Sequence, residues 1–206
     1  MSPFSLQIEQ QAAQVNRDAW KRLMEGVQIN VQGFGSIPYT PQPKVPTMFM
    51  RSQTDVKNRE RINTLDPKVR LKAMAHLKAC DLNNIWLRIT HGERTFAAQD
   101  LLYAQGRTMP GKIVTNAKGG QSWHNFCFAY DVVPLDANGK AIWDTNNPIW
   151  QTVIDLGKES GMEHGIKVGK WIDMPHFQYT FNKKLTLATA RELYAAGILH
   201  SWKGII

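Results

Sequence analysis

The chain has 206 residues, of which 43% are hydrophobic and 20% are charged. This length allows one domain of ordinary size, alone or with an extension, and the composition is that of a globular protein. No run of about 18 apolar residues occurs, so the sequence predicts no membrane span. The first ten residues lack a basic segment followed by an apolar one, so we expect no conventional signal peptide.

The net charge is +8 at pH 7, and much of the excess lies between Arg51 and Cys80, where eight Lys and Arg stand against three Asp and Glu. A basic surface attracts polyanions such as nucleic acid, anionic lipid or an anionic bacterial envelope. The basic segment lacks interleaved aromatic residues and matches no nucleic-acid-binding motif, so we expect no nucleic-acid partner. Cys80 and Cys127 are too few for a disulfide framework and are predicted to be small buried residues.

The first 50 residues differ in pattern from the rest of the chain. Apolar residues spaced three and four apart predict an amphipathic helix over 4–24. Residues 33–47 contain two glycines and four prolines, a composition that excludes a regular helix or a central strand. We therefore predict an N-terminal helical and irregular extension over 1–50 and a main domain over 51–206.

Helices and strands are predicted to alternate in the main domain. Asp66 is the expected N-cap and Pro67 the first residue of a helix that runs to about Cys80. The other helices are predicted over 95–105, 148–160 and 186–196, the strands over 85–90, 126–133 and 175–181, and a hairpin turn over 136–139 with a return over 140–143. Because no βαβ repeat is present, we expect an α+β fold with a small, mostly antiparallel sheet flanked by helices.

Two histidines have carboxylates near them in the sequence. His124 and Asp131 are seven residues apart around a predicted strand, so they converge only if His124 lies at the strand's entrance, where the backbone bends. Asp173 and His176 flank Met174-Pro175, in a loop that runs into a strand. Two histidines and one carboxylate with an open fourth position make a catalytic zinc site, and a further carboxylate is then needed as general base. The residues alone leave open which aspartate binds metal and which is the base.

The segment Ser122-x-His124-x-x-Cys127-x-Ala129-x-Asp131 resembles the S-x-H-x-x-G-x-A-x-D motif of the LAS metallopeptidases. That family includes D-alanyl-D-alanine carboxypeptidases and phage L-alanyl-D-glutamate endolysins. The resemblance implies that His124 and Asp131 bind Zn²⁺ on the sheet, and the downstream Asp173-x-x-His176 implies that His176 is the third ligand and Asp173 the general base. Cys127 stands where the family usually has Gly.

A further block resembles the family's S-G-x-R-T…Q…L-Y…G-R-T segment, and its residues are His91-Gly92-Glu93-Arg94-Thr95, Gln99, Leu102-Tyr103 and Gly106-Arg107-Thr108. The resemblance implies that Arg94 binds substrate and stabilises the tetrahedral intermediate. Gln99 is expected to orient substrate or to support Arg94, and Ser122 to support the metal site by a hydrogen bond. His91, which replaces a common Ser, is expected next to the site, where it either contacts substrate or supports a metal ligand. The three blocks together span about 57–181.

The resemblance implies a zinc-dependent peptidase that cleaves the stem peptides of peptidoglycan. Details at Gly106-Arg107-Thr108 and at Pro175-His176-Phe177-Gln178 favour the L-alanyl-D-glutamate endopeptidase branch. We expect a phage or prophage endolysin that is made in the cytoplasm and reaches the cell wall through a holin, with its basic surface aiding contact with the anionic envelope. The alternatives are a secreted effector toxin, a D,D-carboxypeptidase and a non-catalytic zinc-binding wall module.

Overall fold

The computed structural model describes residues 50–165, 167–168 and 171–199. The helix predicted over 4–24 and the proline-rich segment over 33–47 lie outside these residues. The division into an extension over 1–50 and a main domain over 51–206 therefore stays a prediction. No helix in the described part of the chain is both long enough and apolar enough to cross a membrane.

Most helices of the described residues begin at a side chain that caps their first amide groups. Asp55, Asp66, Thr95 and Thr186 each accept a hydrogen bond from a backbone N–H in the first turn of the helix that follows, which satisfies a donor without an intrahelical partner. The helices are α1 (Arg51–Thr54), α2 (Val56–Ile62), α3 (Pro67–Leu82), α4 (Phe96–Ala104), a 3-10 helix (Trp123–Phe126), α5 (Ile149–Glu159) and α6 (Leu187–Ala195).

The strands form two antiparallel sheets. The larger has the order β1-β2-β5, with β1 at Trp86–His91, β2 at Ala129–Leu135 and β5 at His176–Gln178. The smaller pairs β3 (Lys167–Val168) with β4 (Trp171–Ile172). Both pairings in the larger sheet are antiparallel, which confirms the predicted α+β fold with a small antiparallel sheet.

The two faces of the larger sheet carry different chemistry. Tyr130 and Phe177 are directly opposite each other on β2 and β5, both fully buried, with rings 5.7 Å apart and nearly parallel. Their sequence neighbours Asp131 and His176 are also directly opposite each other. Because side chains alternate along a strand, the apolar pair and the polar pair point to opposite faces. One face therefore builds the core, and the other presents ionisable groups.

A buried histidine joins the core face of the sheet to two helices. His76 of α3 is fully buried, and its Nε2 donates to the carbonyl of Val153 in α5 at 2.9 Å. Its Nδ1 is then free to accept from the hydroxyl of Tyr130 at 3.0 Å. Burial lowers the pKa of His76 to about 4, although the bond to Val153 opposes this effect and the charge of His164 adds to it. The ring is therefore neutral at pH 7 and both of its nitrogens are satisfied.

Several predicted elements are confirmed with shifts of a residue or two at their ends. Asp66 caps the helix that starts at Pro67, and the helices predicted over 95–105, 148–160 and 186–196 are α4, α5 and α6. Both cysteine thiols are buried and no disulfide joins them, as expected.

Other predictions were wrong in extent. The strand predicted to start at Phe126 starts at Ala129, because the chain first forms a 3-10 helix and then turns at Cys127 in the left-handed conformation. The segment 140–143, which was predicted to pair back after the hairpin turn, makes a single β-bridge between Leu135 and Ala141 and is not a strand. Helices α1 and α2 and the short β3-β4 hairpin were not predicted, because they are too short to show a hydrophobic period.

The depressed pKa of His76 predicts a pH-dependent stability. Between about pH 6.5 and 4 the unfolded chain binds a proton that the native ring excludes, so the free energy of unfolding falls as the pH decreases through this window. The loss approaches about 3 kcal/mol. Urea unfolding of wild type and His76→Gln at pH 7 and pH 4.5 measures it. The wild type should lose more stability than the variant, and equal losses would show that His76 is not responsible.

Candidate metal centre

Three side chains converge on one point at the polar face of the sheet. His124 Nε2 lies 3.2 Å from Asp131 Oδ1 and 3.2 Å from His176 Nδ1. His176 Nδ1 lies 3.1 Å from the same oxygen of Asp131, which closes a nearly equilateral triangle. Within the described residues this is the group of histidine and carboxylate side chains with a spacing that suits a metal ion.

The size of this triangle fits a tetrahedral zinc site. Zinc lies about 2.0 to 2.2 Å from nitrogen and oxygen ligands, so two ligands at the tetrahedral angle are about 3.3 to 3.5 Å apart. The separations of 3.1 to 3.2 Å are only slightly shorter. Three protein ligands leave a fourth position open, which is the arrangement of catalytic rather than structural zinc sites.

In each histidine of the triangle, the outer ring nitrogen, which points away from the other two side chains, shows whether the inner ring nitrogen carries a lone pair. His124 Nδ1 lies 2.7 Å from the carbonyl oxygen of Gly92, so it must be the protonated nitrogen and donate. His176 Nε2 lies 3.2 Å from Gln178 Oε1 and donates in the same way. Both inner nitrogens are then unprotonated in the neutral rings and face the carboxylate. Three acceptors at contact distance repel one another unless a cation lies among them.

The electrostatics of the triad favour an ionised Asp131, the form of the carboxyl that could bind a metal ion. Burial opposes ionisation of Asp131, but the charges and hydrogen bonds of His124 and His176 hold the pKa of its carboxyl well below its usual range. Burial alone would lower the pKa of His176, yet the hydrogen bond and charge of Asp131 raise it. A proton therefore competes with a metal ion for the space between the rings, and metal binding is expected to weaken in acid.

Local backbone geometry brings His124 to the two strand residues. Asp131 on β2 is directly opposite His176 on β5, so the register of the sheet places this pair. His124 lies in the 3-10 helix that precedes β2, and the chain then turns at Cys127, which has φ of 65°. The carbonyl of Cys127 accepts from the N–H of Asp66 at 3.0 Å, which fixes the turn to the start of α3. The left-handed position explains why a glycine suits this place in the motif.

Asp131 uses its second oxygen for two other predicted site residues. Arg94 Nη2 lies 3.6 Å from Asp131 Oδ2, and His91 Nδ1 lies 3.7 Å from the same atom. A bulge in β1 between Ile89 and His91 brings His91 directly opposite Asp131. The side chain of His91 is 61% exposed, whereas that of Arg94 is 15% exposed. The structure therefore brings the Arg94 guanidinium and the His91 imidazole beside the triad, with His91 accessible from solvent.

Arg94 is held in place by a fully buried glutamine. Arg94 Nη1 donates to Gln99 Oε1 at 3.0 Å, and Gln99 Nε2 donates to the carbonyl of Ala117 at 2.8 Å. The backbone of Arg94 is also fixed, because its N–H donates to the carbonyl of His124 and its carbonyl accepts from the side chain of Asn125. Gln99 thus supports Arg94 and ties it to the loop that includes Ala117.

Asp173 lies in the same cleft but outside the triangle. It is half-buried and lines a cleft of about 600 Å³ together with the three candidate ligands and Arg94. Burial raises the pKa of Asp173, with the charge of His176 opposing and that of Asp131 reinforcing the shift. A carboxyl that is easier to protonate is suited to take up and return a proton.

The remaining predicted residue, Ser122, is also part of the cleft wall. Its backbone N–H donates to Asn125 Oδ1 at 3.2 Å, at the start of the 3-10 helix that carries His124. The other lining residues are mostly apolar or uncharged, and include Leu102, Val114, Trp123, Trp143 and Leu187. The cleft thus combines an apolar wall with a compact polar centre, as ligand-binding sites commonly do.

Comparison with known proteins identifies the family. No family model matches the chain. The chain is 37% identical over 121 residues to the peptidoglycan L-alanyl-D-glutamate endopeptidase CwlK of Bacillus subtilis, an alignment that covers 55% of the chain and 72% of that relative. The chain belongs to the LAS-type peptidoglycan peptidase family. The resemblance stated from the sequence motifs is thereby confirmed.

Comparison with solved structures bears on the fold alone. The Serratia marcescens L-Ala D-Glu endopeptidase ChiX matches with a TM-score of 0.50 and 20% identity, over 64% of this chain and 92% of that one. The L,D-carboxypeptidase DacB of Streptococcus pneumoniae matches with a TM-score of 0.44 and 21% identity, over 65% of this chain and 72% of that one. The match to ChiX shows that the fold is shared.

Two groups that contact the candidate metal ligands were not assigned a role from the sequence. Gln178 accepts a hydrogen bond from His176 and so orients the His176 ring. The two residues are two positions apart on a strand, which places both side chains on one face, and this spacing was the signal that could have identified the contact. The carbonyl of Gly92 orients His124, and no sequence pattern identifies a backbone acceptor. A Cβ on residue 92 would lie 2.5 Å from Thr64 Oγ1, so only a glycine lets the backbone pass this close to Thr64.

The orientation of His176 by Gln178 predicts a loss of metal affinity on substitution. Gln178→Leu removes the acceptor for Nε2–H while keeping a buried side chain, so zinc affinity should fall about tenfold or more. Competition with a chromophoric chelator measures this change. Gln121→Leu, at the edge of the same cleft, is the matched control and should bind zinc as the wild type does. If both variants bound zinc equally well, Gln178 would have no orienting role.

Proposed function

We propose that this chain is a zinc-dependent peptidoglycan peptidase that cleaves the L-alanyl-D-glutamate bond of stem peptides. The observation that carries the proposal is the convergence of two histidine lone pairs and one carboxylate oxygen at 3.1 to 3.2 Å, in a cleft that also holds Arg94 and Asp173. These are the parts that metal-assisted hydrolysis of a peptide requires. Membership of a family of peptidoglycan peptidases gives the substrate class.

His124, Asp131 and His176 are the proposed ligands, and Zn²⁺ bound to them would polarise the peptide carbonyl and lower the pKa of water. Asp173 accepts the proton of the attacking water and later returns it to the amine that leaves. Its half-buried carboxyl lines the cleft beside the proposed ligands, and burial raises its pKa, which suits it to this transfer.

Arg94 stabilises the negative charge that develops on the carbonyl oxygen. Its guanidinium is largely buried and fixed by Gln99, so little reorganisation accompanies the reaction. Gln99 acts through Arg94 rather than on substrate, because its side-chain amide is used by Arg94 and by the carbonyl of Ala117. His91, which is exposed beside Asp131 Oδ2, is the proposed substrate contact at the edge of the site.

The choice of bond rests on the curated relative. CwlK is named as an L-alanyl-D-glutamate endopeptidase, and the alignment covers 72% of its length at 37% identity. The Gly106-Arg107-Thr108 and Pro175-His176-Phe177-Gln178 details support the same branch. A D,D-carboxypeptidase is the alternative within the family.

Digestion of purified sacculi tests the choice of bond. Cleavage of the proposed bond exposes a new amino group on D-glutamate and leaves L-alanine attached to the muramyl residue. Mass spectrometry of the soluble products, with amino-group labelling, should detect that terminus. Release of free D-alanine with an intact L-alanyl-D-glutamate bond would support the carboxypeptidase instead, and undigested sacculi with zinc bound would support a non-catalytic wall-binding module.

The separate roles of base and ligand predict different losses in two variants. Asp173→Asn should bind one zinc ion per chain and lose at least about a thousandfold in kcat, because the amide cannot accept the proton. His176→Ala should lose both zinc and activity. Metal analysis of each dialysed variant, together with the rate of sacculus lysis, separates the two effects. Wild-type lysis by Asp173→Asn would refute the assignment of the base.

The setting in which the peptidase acts is a further proposal. A phage endolysin released through a holin is the first candidate, and a secreted effector toxin is the second. Neighbouring holin and spanin genes would support the endolysin, and a neighbouring immunity gene would support the effector. The net charge of +8 suits contact with an anionic envelope in either setting.

A further inference from the structure

The turn Asp173-Met174-Pro175-His176 carries both the proposed base and the third proposed ligand, so its conformation decides whether the two act together. Two backbone bonds hold it: the N–H of His176 donates to the carbonyl of Asp173 at 3.3 Å, and the N–H of Val132 donates to the carbonyl of Pro175 at 3.0 Å. The carbonyl of Met174, in the middle of the turn, takes no part in either bond.

His164 binds this central carbonyl. Its Nε2 lies 3.0 Å from the carbonyl oxygen of Met174. A carbonyl cannot donate, so His164 Nε2 must carry the proton and donate to the turn. His164 does not line the catalytic cleft, and its ring is half-buried behind the turn. Its contact is therefore with the backbone between Asp173 and His176 and not with the reacting groups.

The position of His164 is itself fixed by the edge of the sheet. Its neighbour Glu163 forms an isolated bridge with Gln178, with N–H to carbonyl distances of 2.8 and 3.0 Å. The carboxylate of Glu163 also accepts from the N–H and the hydroxyl of Thr180. The His164 ring packs against the buried ring of Phe177 at 5.0 Å. Backbone pairing, a side-chain anchor and ring packing together leave His164 little freedom.

We infer that His164 is a positioning residue that holds the base-bearing turn against the sheet. Gln178, which belongs to the Glu163–Gln178 bridge, orients the His176 ring. His164, which follows Glu163 in the chain, restrains the backbone at Met174 and thereby the direction of the Asp173 side chain. This inference rests on the proposed function for its kinetic consequence. The sequence left His164 without a role, because it lies in none of the motif blocks.

Two substitutions separate the hydrogen bond from the packing. His164→Phe keeps a ring against Phe177 and removes the donor, whereas His164→Gln keeps an N–H donor at a similar reach and removes the ring. We expect kcat of His164→Phe to fall about tenfold with KM unchanged, because a base displaced by a fraction of an ångström still binds substrate but transfers its proton poorly. His164→Gln should retain at least about half of the wild-type kcat.

A second readout does not depend on activity. In zinc-loaded protein labelled with ¹³C at the methionine methyl groups, the Met174 signal, assigned with Met174→Leu, reports the turn directly. We expect this signal to shift or broaden in His164→Phe and to match the wild type in His164→Gln, with one zinc ion per chain in both. An unchanged signal in His164→Phe, or equal disturbance in both variants, would overturn the inference. An inactive wild type with the expected signals would refute the proposed function and leave the positioning role standing.

Discussion

The site depends on the placement of three hydrogen-bond acceptors within 3.2 Å of one another in a largely buried position. Such an arrangement is unfavourable in a chain without a compensating charge, because each acceptor has lost water and faces another lone pair. A divalent cation removes this cost and adds coordination energy. The surrounding structure is organised to keep the arrangement in place, and the reaction that we propose follows from it.

Three parts of the fold supply the three acceptors. The antiparallel register of β2 and β5 makes Asp131 and His176 direct neighbours, while a 3-10 helix and a left-handed turn at Cys127 return His124 to them. On the opposite face, Tyr130 and Phe177 bury the same two strands in the core. Because alternation along the strand couples the two faces, a shift of register by one residue would lose the core and the site together.

The sequence predicts the residues at the centre of the site better than the contacts that hold them in place. The three proposed ligands, Asp173 and Arg94 belong to short motifs with fixed spacing. The spacing argument that His124 must lie at a bend before the strand agrees with the structure. The helices with clear caps and glycine ends were predicted because their signals are also local.

The sequence could not show that Gln99 reaches the carbonyl of Ala117 or that the carbonyl of Gly92 orients His124, because these contacts join distant segments through backbone atoms. His164 was missed because its partner is a carbonyl in a turn that only the folded sheet edge brings near.

The most direct test of the metal centre is the protonation state of its histidine rings. Long-range ¹H–¹⁵N correlation spectra of protein labelled at the histidine ring nitrogens distinguish a metal-bound, a protonated and a bare nitrogen. On addition of one equivalent of zinc to the metal-free protein, the account predicts metal at Nε2 of His124 with a proton on Nδ1, and metal at Nδ1 of His176 with a proton on Nε2. Spectra that zinc leaves unchanged, or coordination through the opposite nitrogens, would contradict it.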